Sequence, residues 1–350
     1  MKITDKWLLL FAIIFLTSAC VSTNMETTEN EILPSMPVED THSALQIYFT
    51  SPNAGNHCDL ASNLIDDIDH AEQSIDVALY NINMQDVAAA LIRAAKRGVP
   101  VRIVLDDNKR NNSVPQILAD SSVSMVYDAD KSTMHNKFMI IDNRVVWTGS
   151  MNFTESGCED DYNNMVRVEN DRLAINYGAE FAEMFEDYLF SADSPENTPY
   201  PHVQVGDVMI ENYFSPDDGV RKHMIDVINE AQYSIVIMAY SFTSDELADA
   251  IIDRYEDGVD VHGIMDADQI KSNSGGEYED FLKAGIDVQQ DTIPGQMHHK
   301  VIIIDEQIVI TGSYNFSGNA EKRNDENVLI IHSSEAAQQF LQAYEMIETK

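Results

Sequence analysis

Two stretches of this chain repeat the same order of apolar and polar positions. They begin at Ile47 and near Glu211, and each predicts a short strand, an amphipathic helix and a strand with alternating apolar residues. A second helix then ends at Gly98 or Gly258, where glycine is typical of a helix C-cap, and another strand follows. Strands separated by helices indicate βαβ units. We therefore predict an α/β fold, a duplicated α/β/α sandwich whose mixed, mostly parallel sheets pack pseudo-symmetrically.

The repeat also defines the domain organisation. The first half covers residues 44–195 and the second covers 205–350. The stretch around 191–202 is rich in proline and poor in apolar residues, which predicts a linker between the halves.

The N-terminal residues have the pattern of an export signal. Two lysines precede an apolar run over 7–16, and this run is too short for a membrane-spanning helix of about twenty residues. Small residues directly before Cys20 resemble the lipobox of bacterial lipoproteins, in which the cysteine is lipidated. We expect an export signal over 1–19, a lipid on Cys20, a flexible tether over 20–43 and a location in the cell envelope, facing the periplasm or the exterior. Plain secretion and an uncleaved anchor are the alternatives.

Export changes the interpretation of the two remaining cysteines. Cys58 and Cys158 form an even pair, and an exported protein meets an oxidising compartment. A disulfide between them is one hypothesis, and two separate buried thiols are the other.

One polar pattern occurs late in each half, within 134–153 and within 297–316. It reads His-x-Lys-x4-Asp-x6-Gly-Ser-x-Asn. The pattern is filled by His135, Lys137, Asp142, Gly149, Ser150 and Asn152 in the first half, and by His298, Lys300, Asp305, Gly312, Ser313 and Asn315 in the second. Six fixed positions found twice are not a chance event.

The residue types indicate phosphoryl chemistry. A buried strand begins at Lys137, so His135 and Lys137 are expected to project from one face. The following aspartate suits a tight hairpin turn, the glycine allows a close backbone approach, and the serine and asparagine bring polar groups back beside the same face. Two such sets would enclose a tetrahedral phosphoryl group, with one histidine on each side of the phosphorus. Lysines and amides would stabilise its oxygens, so no metal or other cofactor is expected.

At this point the chain resembles the phospholipase D superfamily, whose HKD motif is this pattern and occurs twice in many members. The resemblance covers essentially everything after the tether. It implies a metal-independent reaction through a phosphohistidine, with one active site between the two halves. It also implies that Asp142 and Asp305 are mainly structural.

The two motifs differ at the position 28 residues after the histidine, which often carries an acidic residue in this superfamily. It is Glu326 after His298 and Asn163 after His135. If Glu326 pairs with His298, the carboxylate favours an imidazolium, so His298 would be the general acid and His135, held by Asn163, the nucleophile. A carboxylate can also stabilise a phosphohistidine, which leaves the opposite assignment open.

The charge of the chain bears on the substrate. Lys and Arg total 22 against 59 Asp and Glu, a formal net charge of −37, which opposes the basic surface of a nucleic-acid-binding protein. Phospholipid at a membrane surface is therefore the first expectation for the substrate. A nonspecific endonuclease is the alternative, and a non-catalytic envelope lipoprotein is the second alternative. No obligate protein partner is indicated.

Overall fold

A computed structural model describes residues 44–51, 58–128 and 132–348. The predicted export signal, the lipidation site Cys20 and the tether lie outside the described residues. Within the described part, none of the helices is long and apolar enough to cross a membrane.

The first half is built on a seven-stranded sheet. Its strands are β1 (Leu45–Phe49), β2 (Ile75–Leu79), β3 (Val101–Leu105), β4 (Ser124–Tyr127), β5 (Lys137–Ile141), β6 (Val145–Gly149) and β7 (Asn164–Glu169). Its helices are α1 (Asp59–His70), α2 (Gln85–Arg97), α3 (Ser113–Ala119), α4 (Glu155–Glu159) and α5 (Asp171–Ala182).

The second half is built on an eight-stranded sheet. Its strands are β8 (His202–Val205), β9 (Val208–Ser215), β10 (Ser234–Ala239), β12 (Asp260–Met265), β13 (Asp287–Gln290), β14 (Lys300–Ile304), β15 (Ile308–Gly312) and β17 (Glu326–His332), and a separate small ladder joins β11 (Phe242–Thr243) to β16 (Phe316–Ser317). Its helices are α6 (Val220–Ile228), α7 (Asp245–Glu256), α8 (Ala267–Ser272), α9 (Tyr278–Ala284), α10 (Gly318–Lys322) and α11 (Ser334–Glu348).

The helices form where the apolar spacing predicts them. In α2 the buried residues Val87, Leu91 and Ala94 recur at helical spacing. The helix ends at Gly98, whose left-handed φ of 95° closes the C-cap, and Gly258 has a φ of 97° after α7.

The duplicated, mixed α/β fold is confirmed, but its strand pairs are more antiparallel than we predicted. Parallel pairing is confined to β2–β3–β4 in one sheet and β10–β12–β13 in the main sheet of the other half. The motif strands β5 and β14 enter antiparallel to β2 and β10. A tight turn, not a helix, connects each motif strand to the next one, and since a tight turn can only join antiparallel neighbours, the pairs β5–β6 and β14–β15 are antiparallel as well.

Apolar side chains form three layers of core. One lies between the two sheets and includes α5 and α11, exemplified by Tyr177 and Phe340. The other two lie under the outer helices of each half, around Leu91 and around Ile251. Since the central layer draws on both sheets, the halves share one core across their interface.

A disulfide and a packed linker residue add further connections between distant parts of the chain. Cys58 and Cys158 are joined as a disulfide, with their Cα atoms 5.7 Å apart and a sequence separation of 100. The predicted linker is partly packed, because the buried Ser191 donates its hydroxyl to the carbonyl of Arg323 and its backbone N–H to Asp325.

Candidate active site

The two motifs meet where the backbones of the halves exchange hydrogen bonds. Met134 forms an isolated bridge with Asp325, and Tyr162 forms one with Met297. The backbone N–H of His135 donates to the carbonyl of Asp325 at 3.0 Å. The backbone N–H of His298 donates to the carbonyl of Tyr162 at 2.9 Å. Each motif histidine is thus held beside the last strand of the opposite half.

Because of this exchange, each histidine is hydrogen-bonded to a residue of the opposite half, and our predicted pairing is wrong. Nδ1 of His135 lies 2.8 Å from Oε2 of Glu326, while Nδ1 of His298 lies 2.8 Å from Oδ1 of Asn163. The error has a simple cause: the sequence places Glu326 in the same half as His298, but the interface brings it to the other histidine. The carboxylate therefore faces His135.

Serines anchor both partners. Ser150 donates to Oδ1 of Asn163 at 2.9 Å, and Ser313 donates to Oε2 of Glu326 at 2.7 Å. Each serine also accepts a backbone N–H from the start of the neighbouring strand, at 3.0 Å in both halves. The motif serines therefore position the groups that orient the histidines.

The glycine before each serine lets the strands approach. A Cβ on Gly149 would lie 2.3 Å from the carbonyl oxygen of Asn164, and one on Gly312 would lie 2.1 Å from that of Asn327. The close backbone approach expected from the sequence is confirmed.

Both motif lysines are buried beside the histidines. Lys137 is 0% exposed and Lys300 is 1% exposed. Each ammonium donates to the carbonyl of the histidine two residues earlier, at 2.7 Å to His135 and 2.8 Å to His298. Both lysine side chains thus lie beside the motif histidines.

Burial sets the electrostatics of these groups. It lowers the pKa of Lys137 to about 7, although Glu326 opposes the shift, and it lowers the pKa of Lys300 well below its ordinary value. Burial also lowers the pKa of His135, against the opposing effect of Glu326, and lowers that of His298 further, together with the two lysines. A bound anion would relieve this cluster, because its charge favours the protonated forms.

The motif asparagines carry a further sign of a ligand site. The Oδ1 atoms of Asn152 and Asn315 are buried without a hydrogen-bond partner among the described residues. A buried polar atom is rarely left unpaired. A carboxamide can rotate to present its NH₂ group, so both side chains can donate to an anion between the halves.

The motif aspartates lie at the far end of the strands. Asp142 accepts backbone N–H groups from the loop 72–74, and Asp305 accepts them from 232–234. The residue pairs 142–143 and 305–306 have φ angles of 53–54°, as in the tight hairpin turn that the sequence predicted. These carboxylates hold a turn and do not reach the histidines.

The sequence analysis missed two tyrosines of the site. Tyr80 directly follows β2, and its ring centre lies 5.1 Å from that of His135. Tyr240 directly follows β10, and its ring centre lies 4.5 Å from that of His298. Each ring also faces its own lysine, with Lys300 Nζ 4.8 Å from the Tyr240 ring centre. The identical residue at the same place in both repeats was the signal that could have revealed them.

Buried aspartates beyond each parallel strand were also missed. Asp106 follows β3 and Asp266 follows β12, and both are almost fully buried. Asp266 accepts the backbone N–H of Met297, directly before the motif histidine, at 3.1 Å. Among the described residues, no three or more histidine, cysteine or carboxylate side chains are grouped to hold a metal ion.

Comparison with known proteins agrees with this geometry. The family model described as "Cardiolipin synthase, PLD-like domain" matches residues 64–185 and again 224–347. The chain is 35% identical to a phospholipase D of Rickettsia prowazekii over 162 residues, which are 46% of this chain and 78% of that protein. It is 38% identical to the human mitochondrial cardiolipin hydrolase over 117 residues, 33% of this chain and 46% of that protein.

A solved structure shares the fold over most of the chain. The phosphatidylserine synthase of Haemophilus influenzae aligns with a TM-score of 0.66 at 14% identity, covering 86% of each chain. The repeated family match and the paired His-Lys sets lead to one conclusion. The chain belongs to the phospholipase D superfamily and is a phosphodiesterase-type hydrolase.

Proposed function

We propose that this protein hydrolyses phospholipids in a phospholipase D-type reaction that releases the head-group alcohol. The observation that carries the proposal is the pair of histidine–lysine sets, one from each half, whose lysines are buried and whose histidines are held by the opposite half at the interface. The names of the relatives support a phospholipid, and the net charge of −37 disfavours a polyanionic substrate.

We assign the role of nucleophile to His135. The sequence suggested the same role from a pairing with Asn163, whereas the structure supports it through the contact with Glu326. Glu326 occupies Nδ1 of His135, so Nε2 is the ring nitrogen free to attack phosphorus. When the N–P bond forms, the ring becomes positively charged, and an adjacent carboxylate stabilises that charge. From the sequence, Glu326 suggested that its histidine is the general acid. Beside His135 in the structure, the same carboxylate can instead stabilise a phosphohistidine.

His298 then acts as the general acid. Asn163 accepts a hydrogen bond from its Nδ1, which leaves Nε2 to face the leaving group. As the bond from phosphorus to the head-group oxygen breaks, its electron pair stays on that oxygen, which takes the proton from Nε2. In the second step, His298 accepts a proton from water, the water oxygen bonds to phosphorus, and the N–P bond breaks to restore His135.

The two lysines supply the charge that a metal ion would otherwise supply. Lys137 and Lys300 lie within hydrogen-bonding distance of the motif backbone, beside the space that a phosphoryl group would occupy. We therefore propose that the reaction proceeds in the presence of EDTA. Loss of activity in EDTA that added divalent metal restores would contradict this part of the proposal.

A substrate with a good leaving group distinguishes the role of His135 from that of His298. 4-Nitrophenolate leaves without protonation, so in bis(4-nitrophenyl) phosphate the acid is dispensable for the first step. We expect His298→Ala to release a burst of nitrophenolate and to retain a phosphorylated His135, detectable by mass spectrometry. His135→Ala should give no burst. The opposite pattern would exchange the roles, and the absence of any phosphoenzyme would refute the phosphohistidine route.

The substrate class is tested on phospholipids and single-stranded DNA in parallel. Release of head groups from detergent micelles of phosphatidylethanolamine or cardiolipin, without cleavage of DNA, is the expected result. Cleavage of DNA alone would favour the endonuclease. A folded protein that acts on none of these substrates would favour the non-catalytic lipoprotein.

We also propose that the enzyme is anchored in the cell envelope through a lipid on Cys20. Metabolic labelling with a fatty acid and fractionation of cells tests this directly. Cys20→Ser should abolish the label and release the protein from membranes, and labelling that survives the substitution would contradict the assignment.

A further inference from the structure

The side chains that contact the two tyrosines of the site differ in charge between its two sides. The third residue after the buried Asp106 is Lys109, and the third residue after the buried Asp266 is Gln269. Nζ of Lys109 lies 4.5 Å from the ring centre of Tyr80. Nε2 of Gln269 donates to the hydroxyl of Tyr240 at 3.1 Å. Equivalent positions thus place a cation on the His135 side and a neutral amide on the His298 side.

A second difference points in the same direction. The residue two before Asn163 is Asp161, and the residue two before Glu326 is Asn324. Asp161 accepts the backbone N–H of Gln296 at 2.9 Å, directly beside the segment that leads to His298. Because the partners cross the interface, Asp161 belongs to the His298 side.

Asn324 stands at the matching place on the other side. Its amide donates to Oε1 of Glu326 at 3.3 Å, next to His135. Beyond the buried pair of His135 and Glu326, the His135 side therefore combines Lys109 with a neutral amide. Beyond the pair of His298 and Asn163, the His298 side combines Asp161 with Gln269.

The pKa of Tyr240 also indicates negative charge on the His298 side. Burial raises the pKa of Tyr240 to about 12, and the carboxylates of Asp266 and Asp161 add to the shift. The pKa of Asp161 is raised by burial, while the charge of Lys300 opposes that shift.

We infer that this charge difference orients the substrate and selects its leaving group. Asp161 and Gln269 hold an ammonium-bearing alcohol on the His298 side, and Lys109 excludes it from the His135 side. The inference rests on the proposed function, since an in-line reaction places the leaving oxygen beside the general acid. Phosphatidylethanolamine and phosphatidylcholine are then preferred over phosphatidylglycerol, whose leaving alcohol is uncharged.

The experiment measures head-group release from detergent micelles of each of these three lipids. The full chain should show a higher kcat/KM for the two ammonium lipids. Asp161→Asn should lower that kcat/KM about fivefold more than it lowers the value for phosphatidylglycerol, as expected for a partly exposed ion pair. Asp160→Asn, an exposed neighbour with the same change of charge, is the matched control.

Lys109 has a different signature. Lys109→Gln should let the ammonium group bind on the wrong side, and such non-productive binding lowers kcat and KM together without changing kcat/KM. Lys109→Arg should restore both constants, and Lys96→Gln on the exposed face of α2 is the control.

The outcomes distinguish the two proposals. A wild-type enzyme that hydrolyses all three lipids equally, or an Asp161→Asn variant that loses activity equally on all three, overturns the inference and leaves the proposed function intact. Failure to release a head group from any lipid overturns the proposed function itself.

Discussion

Replacing Glu326 with glutamine removes a charge from beside His135 and keeps the shape of the side chain. Glu326 is fully buried, and its Oε2 accepts from both His135 and Ser313. The glutamine oxygen can accept both bonds, and Asn324 can rotate to accept from the new amide. The variant therefore isolates the effect of the carboxylate charge.

The size of the effect follows from the change in hydrogen bonding. A hydrogen bond to a charged group contributes about 1.5–3 kcal/mol, and one between neutral groups about 0.5–1.5 kcal/mol. The difference of about 1–1.5 kcal/mol corresponds to a roughly 5–10-fold fall in the rate of phosphoenzyme formation. The Tm should not fall, because a neutral amide is less costly to bury than a carboxylate.

Rapid-quench measurement of the nitrophenolate burst gives this rate, and circular dichroism gives the Tm. Glu321→Gln is the control, since Glu321 contacts Tyr314 and Arg221 but not the histidines. An unchanged burst rate in Glu326→Gln, or a fall that only accompanies a loss of Tm, would refute the role given to this carboxylate.

Three further predictions concern stability, each measured by thermal or urea unfolding. Cys58→Ser opens the disulfide to Cys158, which closes a loop of 100 residues, and should cost about 3–4 kcal/mol; equal stability with and without reductant in the wild type would contradict this. Burial raises the pKa of Asp217 to about 8, so the folded state holds a proton that the unfolded state loses above about pH 4. The free energy of unfolding should therefore fall as the pH rises from about 4 to 8. Asp217→Asn should raise it by about 1–3 kcal/mol at pH 9 but by little at pH 4. A gain that does not vary with pH would contradict this prediction. Asp142→Ala removes the acceptor of the backbone N–H groups of loop 72–74. It should lower the free energy of unfolding by about 1–3 kcal/mol and leave kcat of the folded enzyme little changed. A large loss of kcat at full stability would give this aspartate a direct role in the reaction.

Local patterns predicted much of this protein because their causes are local. The apolar spacing of α2, the left-handed cap at Gly98 and the tight turn at Asp142 each depend on residues close in sequence. The duplication could be read directly, because a repeated sequence must fold twice in the same way. The motif residues that meet at the candidate site were therefore predicted from the sequence, and the tyrosines and buried aspartates that flank them were not.

The partner of each histidine was decided only by the tertiary structure. Sequence separation suggested that Glu326 serves His298, in its own half. The bridge from Met134 to Asp325 instead brings Glu326 to His135, because the motif of each half extends the last strand of the other. Register across an interface depends on how two sheets pack, and no local pattern records it. The sequence by itself predicted which side chains form the candidate site, and the packing of the two halves determined which of them pair with each other.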